Sequence, residues 1–265
     1  MDSAFVVDSA FDAIFVCALL FVVMVAVFYV TRWFALRHAA PSDADGKIAD
    51  AVNSTTFALL GLLIAFTFSG AYGRLDARRH LIVDESNAIS TAYLRLDLLP
   101  EATQPPLREL FRAYTTSRGS LYGDLINAES TARELKSSAA MQMDIWRQVM
   151  AAGDCDGAEC ESARLLLIPS INEMIDIVTT RTVAINTHPP MPVFVALFAL
   201  AIIGSALIGV RAGRKEQFGH FHIFLFAVVV SSILYLILDI EYPRFGLVRL
   251  DHVNETIVNL LQMMQ

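Results

Sequence analysis

The chain has 265 residues, of which 55% are hydrophobic and 18% charged, and its formal net charge is −7. This composition excludes a disordered chain and a small disulfide-rich secreted domain. The two kinds of residue are also segregated, because four long stretches hold no Asp, Glu, Lys or Arg, whereas more than half of the charges lie within residues 74–181. The sequence therefore predicts an integral membrane protein with one large polar segment.

Each of the four charge-free stretches is long enough to cross a bilayer as a helix, which takes roughly 20 residues. The first follows an acidic rather than a basic N-terminal segment, so we interpret it as an uncleaved span. The third follows the proline-rich sequence THPPMP, and the fourth ends before Pro243 and Gly246. The predicted spans lie near residues 11–31, 54–73, 191–211 and 220–240.

The second span mixes small and hydroxyl side chains with Leu and Phe. On a helical wheel of about 100° per residue, one face centred on Gly70 collects hydroxyl, apolar and glycine positions and ends at a cation. If several copies surround an axis, this face can line a pore with an apolar constriction and an anion-attracting mouth. Close helix packing is the alternative. The pore-lining candidates are Thr56, Leu59, Leu63, Phe66, Thr67 and Gly70, and the anion-attracting candidates are Arg74, Arg78 and Arg79.

The polar segment between spans two and three has the periodicity of helices. Apolar residues 107–126 follow the i, i+3, i+4, i+7 rule, and a second stripe recurs every seven residues at Leu75, Ile82, Ile89 and Leu96. We expect this stripe to pack within one chain, with pairing between subunits as the alternative.

Breaks at LLPEATQPP and AAGDCDGAECE divide this segment into predicted helices near 75–98, 106–151 and 161–187. The predicted fold class is therefore all-α, with four transmembrane helices and a helical polar domain inserted between the second and third. The predicted domains are an N-terminal membrane hairpin (1–73), the polar insert (74–187), and a C-terminal membrane hairpin with a tail (188–265).

Lys and Arg in the short loops favour an outside position for the insert. Both hairpin loops hold Lys and Arg, and the segment before the first span has none, so the hairpin loops are expected in the cytoplasm. Arg74, Arg78 and Arg79 directly after the second span oppose this orientation, although long domains follow the charge rule poorly.

Cys155 and Cys160 share the loop GDCDGAEC and are close enough in sequence for a disulfide, which would suit an oxidising compartment. An unlinked loop is nearly as well supported. A metal site is disfavoured because no further Cys or His stands at zinc spacing.

No motif for catalysis, phosphate binding or dinucleotide binding occurs, so we expect neither an enzyme nor a cofactor. His220 and His222 lack further metal ligands, and no basic stripe is present to bind nucleic acid. Asp239 and Glu241, followed by Arg244, close the fourth span; we interpret them as an interfacial ion-pair cluster, with an ion site or gate as the alternative.

The blocks GAYGRLDARR and TAYLRLDLLP, together with the closing ILDIEYPRFGLVRLD, resemble the bacterial bestrophin-like membrane family over nearly the whole chain. The chain is more distantly similar to the bestrophin anion channels, which are pentamers with four spans and a helical domain after the second. The resemblance implies an apolar neck at Leu62 or Leu63 and Phe66. It also maps the channels' pattern after the neck onto Tyr72, Arg74, Asp76, Ala77 and Arg78.

The sequence departs from the bestrophin channels in three ways. The spacing from Tyr to Ala-Arg is one residue shorter, Leu75 replaces paired tryptophans, and no acidic cluster matches the calcium clasp, so calcium gating is not implied. Bestrophins also keep their insert in the cytoplasm, which conflicts with the short-loop charges.

The sequence thus predicts a homo-oligomer, a pentamer by the resemblance, in the lipid bilayer of a bacterial inner membrane. It is expected to conduct inorganic anions such as chloride. The alternative is a non-conducting sensor or scaffold whose helical insert binds a ligand or a partner protein.

Overall fold

The computed structural model describes residues 10–37, 43–120, 128–152, 158–214, 220–242, 248 and 251–264. Every regular element in this part of the chain is helical, which confirms the all-α prediction. Short 3-10 turns at Arg95–Leu98 and Glu101–Thr103 join the second helix to the third. The α-helices are α1 (Ala10–Arg37), α2 (Asp43–Leu94), α3 (Gln104–Ser120), α4 (Ala128–Ala152), α5 (Ala158–Asn186), α6 (Met191–Arg214), α7 (His220–Glu241) and α8 (Asp251–Met263).

Four helical stretches of the described chain are long and apolar enough to cross a membrane. Each overlaps one of the predicted spans, which confirms four helices of the length and composition that a membrane span requires. They lie within Asp12–Arg37, Asp50–Leu98, Glu161–Gly213 and Phe221–Glu241.

Helix α2 is longer than the sequence analysis predicted. The second span and the first insert helix were expected to be separate, whereas one helix of 52 residues contains both. Its interior glycines do not break it, because a glycine inside a helix costs only about 1 kcal/mol relative to alanine and no proline interrupts the run.

The chain divides into two compact units. The first comprises Met1–Leu75 and His188–Val248, and the second comprises Asp76–Thr187 and Arg249–Gln265.

In the first unit, α1 packs along α6 and α7, and small residues at every fourth position of α6 allow its closest approaches. The hydroxyl of Ser205 donates to the carbonyl oxygen of Met24. A Cβ added at Gly209 would lie 2.1 Å from Thr31 Oγ1 and 2.5 Å from the carbonyl oxygen of Phe28. This spacing of small residues is typical of membrane helices whose backbones are in near contact.

The second unit has a core of side chains from the end of α2 and from α3, α4, α5 and α8. The predicted sevenfold stripe is confirmed as a buried one within the chain, since Leu75, Ile82, Ile89 and Leu96 are all buried. The helix predicted near 106–151 corresponds to α3 and α4, and residues 121–127 lie outside the described part of the chain.

Helix α8 was not predicted, because the sequence analysis treated the C-terminus as a tail. Its apolar residues Ile257 and Leu260 are buried, as is Met264 directly after its end. The hydroxyl of Tyr93 donates to the carbonyl oxygen of Met264 over 3.2 Å, and Arg112 Nε donates to the same oxygen over 2.6 Å. The i, i+3, i+7 spacing of the apolar residues is the signal that would have identified this helix.

A buried carboxylate joins three helices of the second unit. Glu85 in α2 accepts hydrogen bonds from Arg118 in α3 and Arg181 in α5, and all three side chains are buried. Two guanidinium groups are thus held in the interior by one carboxylate.

We expect Glu85→Gln to destabilise the protein by about 3–5 kcal/mol, because the change leaves two buried guanidinium groups without that carboxylate. Asp84→Asn, at the exposed neighbouring position, is the matched control. Thermal unfolding in detergent measures both variants, and equal melting temperatures for them would contradict the role assigned to Glu85.

We expect Gly209→Ala to destabilise the protein by about 1–3 kcal/mol, because the added methyl group overlaps the backbone of α1. The same substitution at Gly61, where no heavy atom of the surrounding chain lies within 4 Å of an added Cβ, is the control. A melting temperature of Gly209→Ala as high as that of Gly61→Ala would show that the close approach of α1 and α6 is not a packing constraint.

Candidate functional site

The predicted pore-lining residues occupy one side of α2 and differ in how far their own chain covers them. Phe66 is 67% exposed, Leu59 is also exposed, and Thr56, Leu63 and Gly70 are partly buried. Thr67 is only 6% exposed. The uncovered edge of this face therefore carries large apolar side chains at i, i+3 and i+7, namely Leu59, Leu62 and Phe66.

The two hydroxyl groups of this face are bonded to their own helix. Thr67 Oγ1 donates to the carbonyl oxygen of Leu63 over 2.7 Å, and Thr56 Oγ1 donates to that of Val52 over 2.9 Å. Such back-bonding satisfies the hydroxyl proton inside an apolar environment. Each hydroxyl oxygen can still accept a hydrogen bond.

Arg74 forms a bidentate ion pair with Glu241, the last residue of α7. Its Nη2 lies 2.7 Å from Glu241 Oε2, and its Nε lies 3.0 Å from Oε2 and 3.1 Å from Oε1. Glu241 is 0% exposed, whereas the Arg74 side chain is 28% exposed. The carboxylate is thus buried beneath a guanidinium group that reaches solvent.

Gly70 provides the space for this guanidinium group. A Cβ added at Gly70 would lie 3.3 Å from Arg74 Nη1 and 3.7 Å from Nη2. The Arg74 side chain therefore folds back over the preceding turn of α2, and a side chain at position 70 would crowd it.

His188 is the third member of this cluster. Its Nδ1 lies 3.0 Å from Glu241 Oε1, and its ring stacks on that of Tyr242 with the centroids 4.5 Å apart. One buried carboxylate is therefore shared by the side chains of Arg74 and His188. We refer to Arg74, Glu241 and His188 as the charge cluster.

Arg78 has a different environment from Arg74. Its side chain is buried, and it donates to the carbonyl oxygens of Ala184 and Thr187, each over 3.1 Å. These carbonyls belong to the C-terminal end of α5, where a cation is favoured by the helix dipole. This geometry makes Arg78 a helix cap in the second unit.

Arg79 is partly buried, and its Nε has no hydrogen-bond partner among the described residues.

Cys155 and the side chain of Cys160 lie outside the described residues, as does Arg244. Cys17 is a free, buried thiol. Where the structure describes the chain, it brings together no group of three or more His, Cys, Asp or Glu that could hold a metal ion.

The sequence analysis anticipated an ion pair at the end of the fourth span but not its partner. Glu241 is paired with Arg74, which stands 167 positions earlier, and His188 was not recognised as a member. Asp239 accepts a hydrogen bond from the backbone of Val248 instead. An acidic residue at the end of an apolar helix indicates that a cation pairs with it, but it does not identify that cation.

Residues 17–252 match the model of a family described as the bestrophin-like domain. A search of curated proteins found no match. Solved structures of a bacterial bestrophin homologue from Klebsiella pneumoniae share the fold at low sequence identity. For a threonine-for-isoleucine variant the TM-score is 0.66, with 15% identity over 94% of this chain and 99% of that one.

Two further structures of bestrophin homologues from Klebsiella pneumoniae give the same result. One is an alanine variant with a TM-score of 0.64 at 15% identity, covering 95% of this chain and 98% of that chain. The other was phased with zinc and has a TM-score of 0.63 at 16% identity, covering 95% and 97%. These structures show the shared fold. The family match and the four apolar helices together support an integral membrane protein.

We expect Arg78→Met to lower the local stability of the last turns of α5 by about 2 kcal/mol, because hydrogen bonds from a charged donor to their carbonyls are lost. Hydrogen exchange of peptides that cover residues 178–190 measures this change. Arg79→Met should leave the exchange of the same peptides unaltered. Equal exchange in the two variants would contradict the capping role of Arg78.

Proposed function

The chain belongs to the bestrophin-like family, and from this premise we propose that it forms an oligomeric ion channel that conducts small inorganic anions such as chloride. The observation that carries the proposal is the poor coverage of the second span. In its most apolar window only 11% of residues are buried inside the chain, against 28%, 33% and 50% in the other candidate spans. Several copies of a membrane helix that its own chain covers so little can together surround a central axis.

The proposed pore is lined by the uncovered side of α2. Leu59, Leu62 or Leu63, and Phe66 form its apolar neck, where narrowing and dewetting limit the passage of ions. Thr56 supplies a hydroxyl oxygen beside the neck, whereas Thr67, which is buried in its own chain, and Gly70, which Arg74 covers, support the wall from behind. Arg74 stands one turn beyond Gly70 and attracts anions to the mouth.

The mechanism is passive conduction and needs neither catalysis nor a bound cofactor.

The polar insert is proposed to lie outside the cytoplasm of a bacterial inner membrane, because the short hairpin loops hold Lys and Arg whereas the segment before the first span has none. Labelling of Cys155 and Cys160 in intact cells with a membrane-impermeant thiol reagent, after reduction, tests this orientation. Labelling only after lysis would place the insert inside.

Purified protein reconstituted into planar bilayers should carry chloride current. A pure oligomer that remains silent across voltage, pH and calcium concentration would contradict the channel and favour the non-conducting sensor or scaffold.

We expect Phe66→Ala to raise single-channel conductance several-fold, because it removes the bulkiest side chain of the proposed neck. Phe68→Ala is the matched control, since Phe68 is also exposed but stands about 200° around the helix from Phe66. If the two variants alter conductance equally, the neck does not lie on this side of α2.

A further inference from the structure

Glu241 lies next to Arg74, where its carboxylate affects the electrostatic potential that an approaching ion experiences. The exposed parts of the charge cluster are Arg74, at 28%, and His188, at 30%, while Glu241 is completely buried behind both. An ion that approaches the cluster from solvent therefore meets a guanidinium group and an imidazole, with the compensating carboxylate 2.7–3.1 Å from the guanidinium nitrogens.

The charge that the cluster presents depends on its ion pair. An arginine is permanently positive and its paired carboxylate negative, so these two cancel at a distance.

Among the described residues of this unit, His188 is the second side chain that contacts the carboxylate. Its Nδ1 lies 3.0 Å from Glu241 Oε1, and its ring stacks on that of Tyr242. The other acidic residue near this end of α7, Asp239, accepts from the backbone N–H of Val248.

The orientation of Arg74 toward Glu241 is built into α2. Because Gly70 lacks a side chain, the guanidinium group lies back along the helix with Nη1 over the preceding turn. Its Nε and Nη2 are then directed to the carboxylate, which fixes a bidentate geometry.

Resting on the channel function proposed above, we propose that Glu241 is a selectivity-determining residue, because its carboxylate cancels the charge of Arg74 at the channel mouth. The anion preference of the channel is then lower than an unpaired Arg74 would give. Glu241 does not need to touch the permeating ion, since it acts through the electrostatic potential at the mouth.

The test is the chloride-to-sodium permeability ratio, obtained from reversal potentials in asymmetric NaCl. For Glu241→Gln we expect the ratio to rise by about threefold or more, the effect of one uncancelled charge several ångströms from an ion in water. Glu241→Asp keeps the negative charge and should restore the ratio toward that of the wild type. A ratio in Glu241→Gln equal to that of the wild type would overturn the proposal.

Two outcomes separate this proposal from the channel function. A silent wild-type protein overturns both, whereas a conducting wild type with an unchanged ratio in Glu241→Gln overturns only the role of Glu241. If Glu241→Gln fails to assemble, as judged by its mass in detergent, Arg74→Gln decides, because it leaves the carboxylate uncancelled and should lower the ratio. A ratio in Arg74→Gln equal to that of the wild type would then overturn the proposal.

Discussion

The ion pair between Arg74 and Glu241 is the interaction on which the geometry of the candidate mouth depends. A carboxylate without solvent exposure at the end of an apolar helix is stable only when a cation and hydrogen bonds compensate it. The pair therefore ties the second span, the least covered of the four, to the fourth. Because of this pair, the charge of Arg74 cannot be treated as that of an isolated surface arginine.

The absence of a side chain at a few positions determines how the helices meet. At Gly70 it admits the guanidinium group that pairs with Glu241, and at Gly209 it admits the backbone of α1. The two cases differ in consequence, since the first positions a charge and the second allows two membrane helices to approach closely. At these two positions the small residue serves a contact within the chain, while large apolar residues on α2 remain uncovered.

The sequence was sufficient for features that depend on local periodicity. The four spans follow from charge-free stretches of the right length, and the buried stripe at Ile82, Ile89 and Leu96 follows from its spacing. Contacts between distant positions were not predictable, because many arginines near the end of a span could in principle pair with Glu241. The sequence also could not distinguish Arg74, paired with a buried carboxylate, from Arg78, which caps α5, since both are arginines one turn apart.

The central claim is that copies of α2 surround an axis through which ions pass. It is tested most directly by the structure of the purified oligomer in a lipid nanodisc, from which the radius and polarity along the central axis can be measured. The account predicts an axis lined by α2, narrowest at Phe66 and its apolar neighbours, with water on both sides of the neck. An axis lined by another helix, or one filled by lipid or sealed by packed side chains along its whole length, would contradict it.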